Sequence, residues 1–269
     1  MRYRILLVTL ILASSMHGWG QEGNVFQRFS LSGGIGSTGL TMDMGTMMTD
    51  HFGLRAGVDL LSLYQYGSNE EIDLNNELYQ LDPDITPLPY CTFDTHLTNS
   101  AGHLLMDYYP FSPAASGFHV TVGAYWAWHR NVETRGTDDD QWWRRIADFN
   151  ARRGNYADVP DALGQVTIDF AGYDLRPAAD GTLNAYMRAN RFRPYLGIGF
   201  GRAVPGARRL NVQFDLGVQF WGRPRVYDGT TGERLTRVKN ISHGGLGRST
   251  VYPVITIRLA GRILGCPPK

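Results

Sequence analysis

One segment of the sequence, residues 209–220, alternates apolar and polar residues over its whole length. Its apolar positions are Leu210, Val212, Phe214, Leu216, Val218 and Phe220. A period of two places successive side chains on opposite faces of an extended strand. The segment is therefore predicted to be a strand with one wholly apolar face, which must be covered by another protein layer or by lipid.

Seven further segments repeat this alternation. Three are strong and four are weaker: 118–129, 192–201 and 251–263, then 28–35, 40–48, 52–60 and 102–109. Their lengths are close to the ~9–11 residues that a tilted membrane-spanning strand needs. The sequence therefore predicts an all-β chain with eight strands, each presenting one apolar face.

The count of eight depends on a single turn. The run Gly36-Ser37-Thr38-Gly39 separates the first two strands only if it forms a tight turn, for which its glycines are suited. If 28–48 is instead one long bent strand, the count is seven. A closed barrel would then need a further strand, at 165–173 or 182–189.

A soluble β-sandwich could show the same alternation, but three features favour a membrane barrel. Full charges stand in mid-strand on the polar faces, at Asp43, Arg55, Asp59, Asp107, Arg193, Asp215, Arg258 and Arg262. Aromatic residues cluster near predicted strand ends, as in a membrane girdle: Tyr108, Trp126, Trp128 and Trp221. Short connections alternate with long loops at 67–101, 130–191 and 222–250. We therefore predict a transmembrane antiparallel up-and-down β-barrel of eight strands (eight to ten), with long extracellular loops and one short loop helix.

The loop helix is predicted after the acidic run 138–140, with Thr137 as its N-cap and Gly154 at its end. Trp142, Ile146 and Phe149 form an i, i+4, i+7 stripe along it. We expect the stripe to cap the barrel mouth or to rest on the outer leaflet; an exposed ligand-binding stripe is the alternative. A divalent-cation site at 138–140 is the alternative to a helix start.

Four acids (Asp43, Asp59, Asp107, Asp215) and four bases (Arg55, Arg193, Arg258, Arg262) would face the interior of this barrel. An eight-stranded barrel is just wide enough for its own side chains to fill. Since unpaired buried charges are costly, the opposite charges should pair and form a packed polar plug. A narrow ion path gated by these Arg–Asp pairs is the alternative.

The chain offers few signs of other chemistry. Its formal net charge of +1 argues against a nucleic-acid partner, and its seven histidines lack metal-ligand spacing, so neither a metal nor a cofactor is expected. The G-x-G-x-x-G run at 34–39 leads into an alternating strand instead of a helix, which excludes a dinucleotide site. Groups for a lipid-modifying enzyme, His129 with 138–140 or His243 with Ser242, show no nucleophile–base–orienter arrangement, so we expect no enzyme.

A basic start, an apolar run at 5–13 and small residues at Gly18 and Gly20 predict a signal peptide at 1–20, followed by one barrel domain at 21–269. The two cysteines, Cys91 and Cys266, fall on opposite sides of the expected membrane. No disulfide is therefore predicted between them.

Several segments carry a resemblance to a known family. They are SAGHLLMDYYPF at 100–111, PYLGIGFGR at 194–202, FDLGVQFWG at 214–222, Tyr252-Pro253-Val254 and GLRAG at 53–57. Together they resemble Gram-negative outer-membrane β-barrel proteins of mostly unassigned function, similar to small OmpA- and OmpW-like barrels. The resemblance implies a barrel fold and an outer-membrane location, and it brings no catalytic residues. The sequence departs from that family at 265–269, where a Gly-Cys-Pro-Pro-Lys tail replaces the usual terminal aromatic residue.

The expected role is structural or surface-interaction, carried by the extracellular loops. A narrow channel for ions or small solutes is the alternative, and a lipid-modifying barrel enzyme is the third hypothesis. The expected partners are outer-membrane lipid and lipopolysaccharide, the barrel-insertion machinery, and an unknown extracellular ligand at the loops.

Overall fold

The computed structural model describes residues 28–71, 73–74, 90–111, 116–128, 130–137, 142–152, 166–170, 173–206, 209–236 and 249–264. Several predictions fall outside these residues: the signal peptide at 1–20, the acidic run at 138–140, the helix end at Gly154, and the groups His129, Ser242, His243 and Cys266.

The described residues form strands and one helix, α1 (Trp142–Arg152). The strands, in chain order, are β1 (Phe29–Gly36), β2 (Gly39–Met47), β3 (Phe52–Leu60), β4 (Ser62–Glu71), β5 (Asp73–Leu74), β6 (Tyr90–Thr98), β7 (Ala101–Tyr108), β8 (His119–Ala127), β9 (Val132–Thr137), β10 (Ile168–Phe170), β11 (Tyr173–Leu175), β12 (Leu183–Arg188), β13 (Phe192–Phe200), β14 (Leu210–Gln219), β15 (Arg225–Asp228) and β16 (Tyr252–Leu264).

Eight of these strands close into an antiparallel barrel in the order β1-β16-β14-β13-β8-β7-β3-β2. The ring closes at β1, where Ile35 pairs with Leu40 of β2 on one side and with Ile257 of β16 on the other. Closure removes every sheet edge, which is what a hydrocarbon environment requires. The predicted eight-stranded barrel is confirmed, and each of the eight alternating segments supplies one of its strands.

The first two barrel strands are separated by the turn Ser37-Thr38, as the prediction of eight strands requires. Gly39 has a φ of 91°, a left-handed conformation that favours glycine. A Cβ added there would also lie 2.1 Å from the carbonyl oxygen of Leu60. The seven-strand alternative is therefore wrong. One of its two proposed closing segments, 182–189, forms β12 in a separate sheet.

The barrel is apolar outside and polar inside. Its most exposed side chains include Ile35 (64%), Met42 (61%) and Val212 (60%), whereas charged side chains such as Arg55 face the lumen and are buried. In water such an outer surface would be an extensive uncovered hydrophobic patch, so its solvent is lipid. Within the described residues, no helix has the length and hydropathy needed to cross a bilayer.

Two aromatic bands mark the ends of the apolar outer surface. At the end where the long connections lie, Trp126 packs edge-on against Phe192, with ring centroids 6.2 Å apart, and Trp128 is exposed beside them. At the other end, which we call the short-turn end, Phe52 packs against Tyr108 at 5.1 Å. Aromatic rings at both ends of an apolar belt are typical of a membrane-spanning barrel.

The segments predicted as long loops contain strands. Beyond the barrel, β4, β6, β9, β12 and β15 form a five-stranded antiparallel sheet in the order β15-β12-β9-β6-β4. Each of these strands is linked by a few residues to a barrel strand, and the order copies that of β14-β13-β8-β7-β3. More than half of the barrel wall therefore continues past the membrane as what we call the extension sheet.

The helix α1 packs on the lumen-side face of the extension sheet. Its stripe of Trp142, Ile146 and Phe149 is buried, as is Trp143, in a hydrophobic cluster with Phe93 of β6. Phe93 lies an even number of positions from Asn99 and Ala101, so all three side chains lie on the same side of the chain. Asn99 and Ala101 are buried inside the barrel, so Phe93 faces the lumen side too. A further small sheet, β11-β10-β5, adds Ile168 and Leu175 to this cluster. The stripe therefore lies against protein above the barrel mouth and does not rest on the outer leaflet.

Candidate functional site: the charged lumen

The lumen is lined by alternate residues of the eight barrel strands, and glycines leave room for its large side chains. The phenol of Tyr195 lies over Gly197 and Gly217, where an added Cβ would come within 2.4 Å of its oxygen. The Tyr195 ring also packs edge-on against Tyr125 at 5.4 Å. Glycine is needed at these positions because of close approach, since neither has an unusual φ.

Two arginines and three carboxylates form an ion-pair cluster in the lumen, which we call the central cluster. Arg55 contacts Asp107 through Nε at 2.8 Å and Asp215 through Nη1 at 3.2 Å. Arg258 contacts Asp43 through Nε at 2.7 Å and also pairs with Asp215. Side chains of the cluster are at most 2% exposed, so each charge is compensated by a neighbour and not by water.

Two histidines extend the central cluster. The Nε2 atom of His103 lies 2.6 Å from Asp43, and its Nδ1 atom lies 3.6 Å from Asp59. His119 contacts Asp215 at 2.8 Å through Nε2. His103 was not singled out from the sequence as a lumen residue. The signal was available, because His103 shares its strand face with Asp107.

Arg193 lies apart from the central cluster and has amide partners. Its Nη1 atom donates to Oδ1 of Asn99 at 2.5 Å, its Nη2 atom to Oδ1 of Asn131 at 3.4 Å, and its Nε atom to the carbonyl of Asn190 at 2.8 Å. Its guanidinium also lies 5.8 Å from the ring centre of Trp221. Among the described residues no carboxylate pairs with Arg193, so the expectation of an Arg–Asp pair is wrong at this position.

Arg262 is also outside the central cluster. It lies one residue beyond the last pair between β14 and β16, Leu210 with Gly261, and is half-buried at the short-turn end. Its Nη1 atom donates to the carbonyl of Gly206 at 2.5 Å. Pairing with β14 has ended at this point, although β16 still pairs with β1 through Ser30 and Arg262. The Arg262 side chain therefore reaches a connection between strands and not a lumen carboxylate.

Trp221 is not part of the aromatic girdle. The side chain is 2% exposed, packs against Tyr252 with centroids 5.1 Å apart, and donates from Nε1 to the carbonyl of Ser249 at 2.8 Å. The chain turns immediately after it, at Gly222 with a φ of 77°. Trp221 follows the alternation of β14, since Gln219 is buried and Phe220 is exposed, so the indole lies on the lumen side of the strand and not on the lipid-facing side. Tyr108, Trp126 and Trp128 do face outward.

The chemistry of the lumen is that of a compensated, water-poor ion-pair cluster. Arg55 is on β3 and Asp215 is on β14, which stand on opposite sides of the eight-strand ring. Their contact therefore crosses the full width of the barrel. In the described part of the chain, no group of three His, Cys, Asp or Glu side chains could hold a metal ion.

Comparison with known proteins gives structural similarity only. The chain is similar to Acinetobacter baumannii CarO2 (16% identity, covering 89% of this chain and 100% of that one, TM-score 0.47) and to CarO of the same organism (16%, 90% and 99%, 0.45). It is also similar to a major outer membrane protein from Thermus thermophilus (14%, 88% and 98%, 0.39). No protein-family model and no curated protein matches the sequence.

At these identities the similarity concerns the fold alone, and the fold follows from the strand pairing of this chain. Eight antiparallel strands close without an edge, their outer face is apolar between two aromatic bands, and their charges face inward. This combination is the reverse of a soluble barrel. The chain is an all-β protein with the fold of small outer-membrane β-barrels.

Proposed function

We propose that this chain is an outer-membrane protein with a role in surface interaction. In this proposal the barrel is a closed membrane anchor, and the extension sheet with α1 forms the surface that binds other molecules. The observation that carries the proposal is the contact of Arg55 with Asp215 across the lumen. Both side chains are nearly inaccessible to water, so the barrel is filled at this level by its own side chains.

The arrangement favours a structural lumen over a conducting one. Opening a path would require Arg55 to leave both Asp107 and Asp215 in a low-dielectric interior. Breaking a buried ion pair costs about 3–5 kcal/mol, because it leaves an uncompensated charge. The extension sheet, in contrast, is a large protein layer outside the membrane and has no role in crossing it.

Single-channel recording of the folded mature protein in a planar bilayer tests this function. Heat-modifiable gel migration verifies folding of the same preparation. We expect a folded protein without steady conductance, and Arg193→Ala should lower its stability and leave it silent. Steady conductance that changes in Arg193→Ala would instead support the alternative, a narrow channel for ions or small solutes.

The orientation is tested with epitope tags at two exposed turns. A tag after Thr231 lies in the turn that follows β15, and a matched tag after Asp50 lies in a short turn at the opposite end of the barrel. On intact cells we expect antibody to reach only the first tag. Labelling of the Asp50 tag alone would place the extension sheet on the periplasmic side.

The remaining partners belong to the same proposal. A barrel in this membrane is surrounded by lipid and lipopolysaccharide and reaches its place through the barrel-insertion machinery. The groups behind the third hypothesis, a lipid-modifying enzyme, are His129 and His243, which lie outside the described residues.

A further inference from the structure

We propose that the outward face of the extension sheet binds a phosphorylated glycolipid of the membrane that surrounds the barrel. An arginine cluster near the apolar belt would hold its phosphate groups, and an aromatic groove farther out would hold its sugars. This inference rests on the proposed function, since it places the extension sheet on the side of the membrane where glycolipid lies.

The outward face follows from strand alternation and pairing. Trp128 covers Gly102 on the outside of the barrel, and Trp128 shares a surface depression with Arg130 and Glu133 of the extension sheet. Strand pairing then aligns one residue from each extension strand across this face: Tyr64, His96, Glu133, Tyr186 and Tyr227. This face continues the lipid-facing side of the barrel, whereas the opposite face packs on α1.

Three arginines converge on the part of this face next to the membrane. Arg188, Arg191 and Arg225 line a cavity of about 230 Å³ together with Asn190 and Tyr227, and no carboxylate lines it. Arg188 and Arg225 are direct partners in the pairing of β12 with β15. Like charges placed directly opposite each other on a sheet are destabilising.

The three arginines have no ion-pair partner within the described chain. An anion bound between them would remove the repulsion, and the planar guanidinium groups suit bidentate binding of phosphate. Arg191 directly precedes Phe192, whose ring packs against Trp126 in the aromatic band. The cluster therefore lies just above the apolar belt, at the depth where lipid phosphate groups are found.

Farther from the membrane, the same face forms a groove of about 460 Å³ between two aromatic walls. On one side Tyr64 stacks on His96, with ring centroids 3.8 Å apart, and on Tyr66 at 5.8 Å. On the other side Tyr186 stacks on Tyr227 at 5.1 Å. Exposed tyrosines offer an apolar ring face and a polar tip, which together suit the mixed surface of a sugar.

The floor of the groove is polar. Asp94, Glu133 and Arg135 line it, and Arg130 lies over the Tyr186 ring at 4.0 Å from its centre. These side chains can accept from and donate to sugar hydroxyls. Along the outward face, apolar belt, arginine cluster and aromatic groove thus follow one another in the order of acyl chains, phosphates and sugars in a glycolipid.

The test of the arginine cluster uses the folded full-length mature protein in detergent and purified lipopolysaccharide as the probe. We expect the triple variant Arg188→Gln/Arg191→Gln/Arg225→Gln to bind this probe more weakly by on the order of 100-fold. A matched triple variant, Arg28→Gln/Arg144→Gln/Arg209→Gln, removes the same charge elsewhere and should change binding by less than about 3-fold. If both triple variants lost the same affinity for lipopolysaccharide, the loss would follow from net charge alone, and the arginine cluster would not be a binding site.

The source of the phosphate is distinguished with three further probes. Lipopolysaccharide stripped of its phosphate groups should bind as weakly as the triple variant binds the intact lipid. Phosphatidylglycerol and inorganic phosphate alone should each bind far more weakly than lipopolysaccharide. Phosphatidylglycerol binding as tightly as lipopolysaccharide would overturn the glycolipid assignment. Displacement of lipopolysaccharide by inorganic phosphate at similar concentration would overturn the lipid assignment.

The aromatic groove is tested with Tyr64→Ala and Tyr186→Ala. A second probe is lipopolysaccharide from which the outer sugars have been removed. Each variant should weaken binding of intact lipopolysaccharide by roughly 10-fold but leave binding of the sugar-truncated probe unchanged. Tyr108→Ala, an outward tyrosine at the short-turn end, is the matched control. Equal effects on both lipids would show that the tyrosines do not contact sugar. The surface tags report separately on the proposed function, so correct surface labelling without lipid binding would refute this inference alone.

Discussion

The charge of Asp215 is the most informative one to remove. Its carboxylate pairs with Arg55 at 3.2 Å, with His119 at 2.8 Å, and with Arg258, and it is 1% exposed. Asp215→Asn keeps the shape of the side chain and removes its charge. Loss of one partner of a buried ion pair costs about 3–5 kcal/mol.

The lower end of that range is expected here. Arg55 keeps Asp107, and Arg258 keeps Asp43, so neither guanidinium is left without a carboxylate. We therefore expect Asp215→Asn to lower the free energy of unfolding by about 3 kcal/mol. The cause is the loss of the only carboxylate that the two arginines share in the described lumen.

Reversible urea unfolding in lipid vesicles measures this change, with tryptophan fluorescence and heat-modifiable migration as two independent signals. Asp148→Asn is the matched control, because Asp148 lies on the exposed side of α1 and should change stability by less than about 0.5 kcal/mol. If Asp215→Asn costs no more than this control, the two arginines are solvated. The lumen would then be wet, and the closed-anchor proposal would be wrong.

Two further substitutions test the packing of the lumen and the membrane contact. Gly217→Ala should cost about 1–3 kcal/mol in the same unfolding assay, because the added Cβ would meet the Tyr195 hydroxyl at 2.4 Å. Gly33→Ala, with no atom within 4 Å of its Cβ, should be nearly neutral, and equal costs would contradict the close approach. Ile257→Arg, on the outward face of β16, should cost about 2–4 kcal/mol in lipid. Tyr66→Arg, on the extension sheet, should cost less than about 1 kcal/mol, and a similar cost at both sites would place Ile257 outside the hydrocarbon.

The barrel strands could be predicted because two solvents enforce strict alternation on them. Each residue of β14 faces either lipid or a polar lumen, so Phe214 and Asp215 cannot exchange places without a large cost. The tight turn before Gly39 could also be predicted, because the glycines at 36 and 39 interrupt the alternation between two strands. Sequence periodicity therefore identified the number of strands and the charged residues of the central cluster, but it did not single out His103.

The extension sheet could not be predicted in the same way because three of its strands are short, and the two longer ones, β4 and β6, lack the continuous apolar face of a membrane strand. β9 and β12 have six residues each, fewer than the ~9–11 that a membrane strand needs. Their alternation is present, as Leu183 and Ala185 are buried and Arg188 is exposed. Because β9 and β12 are too short for membrane strands, both fell within predicted long loops. The partners of Arg193 were missed for the same reason, since Asn99 and Asn131 lie where barrel strands give way to extension strands.

The position of Arg193 shows how the barrel is joined to the extension sheet. Its amide partners are Asn99 between β6 and β7, and Asn131 between β8 and β9. It also bonds the carbonyl of Asn190 between β12 and β13, and lies near Trp221 between β14 and β15. One buried guanidinium thus contacts or lies near four of the five junctions between barrel strands and extension strands. A carboxylate would neutralise it from one side, whereas amide and carbonyl oxygens can be supplied from several strands at once. Arg193, which was predicted to form an ion pair in the lumen, therefore fixes the extension sheet to the barrel.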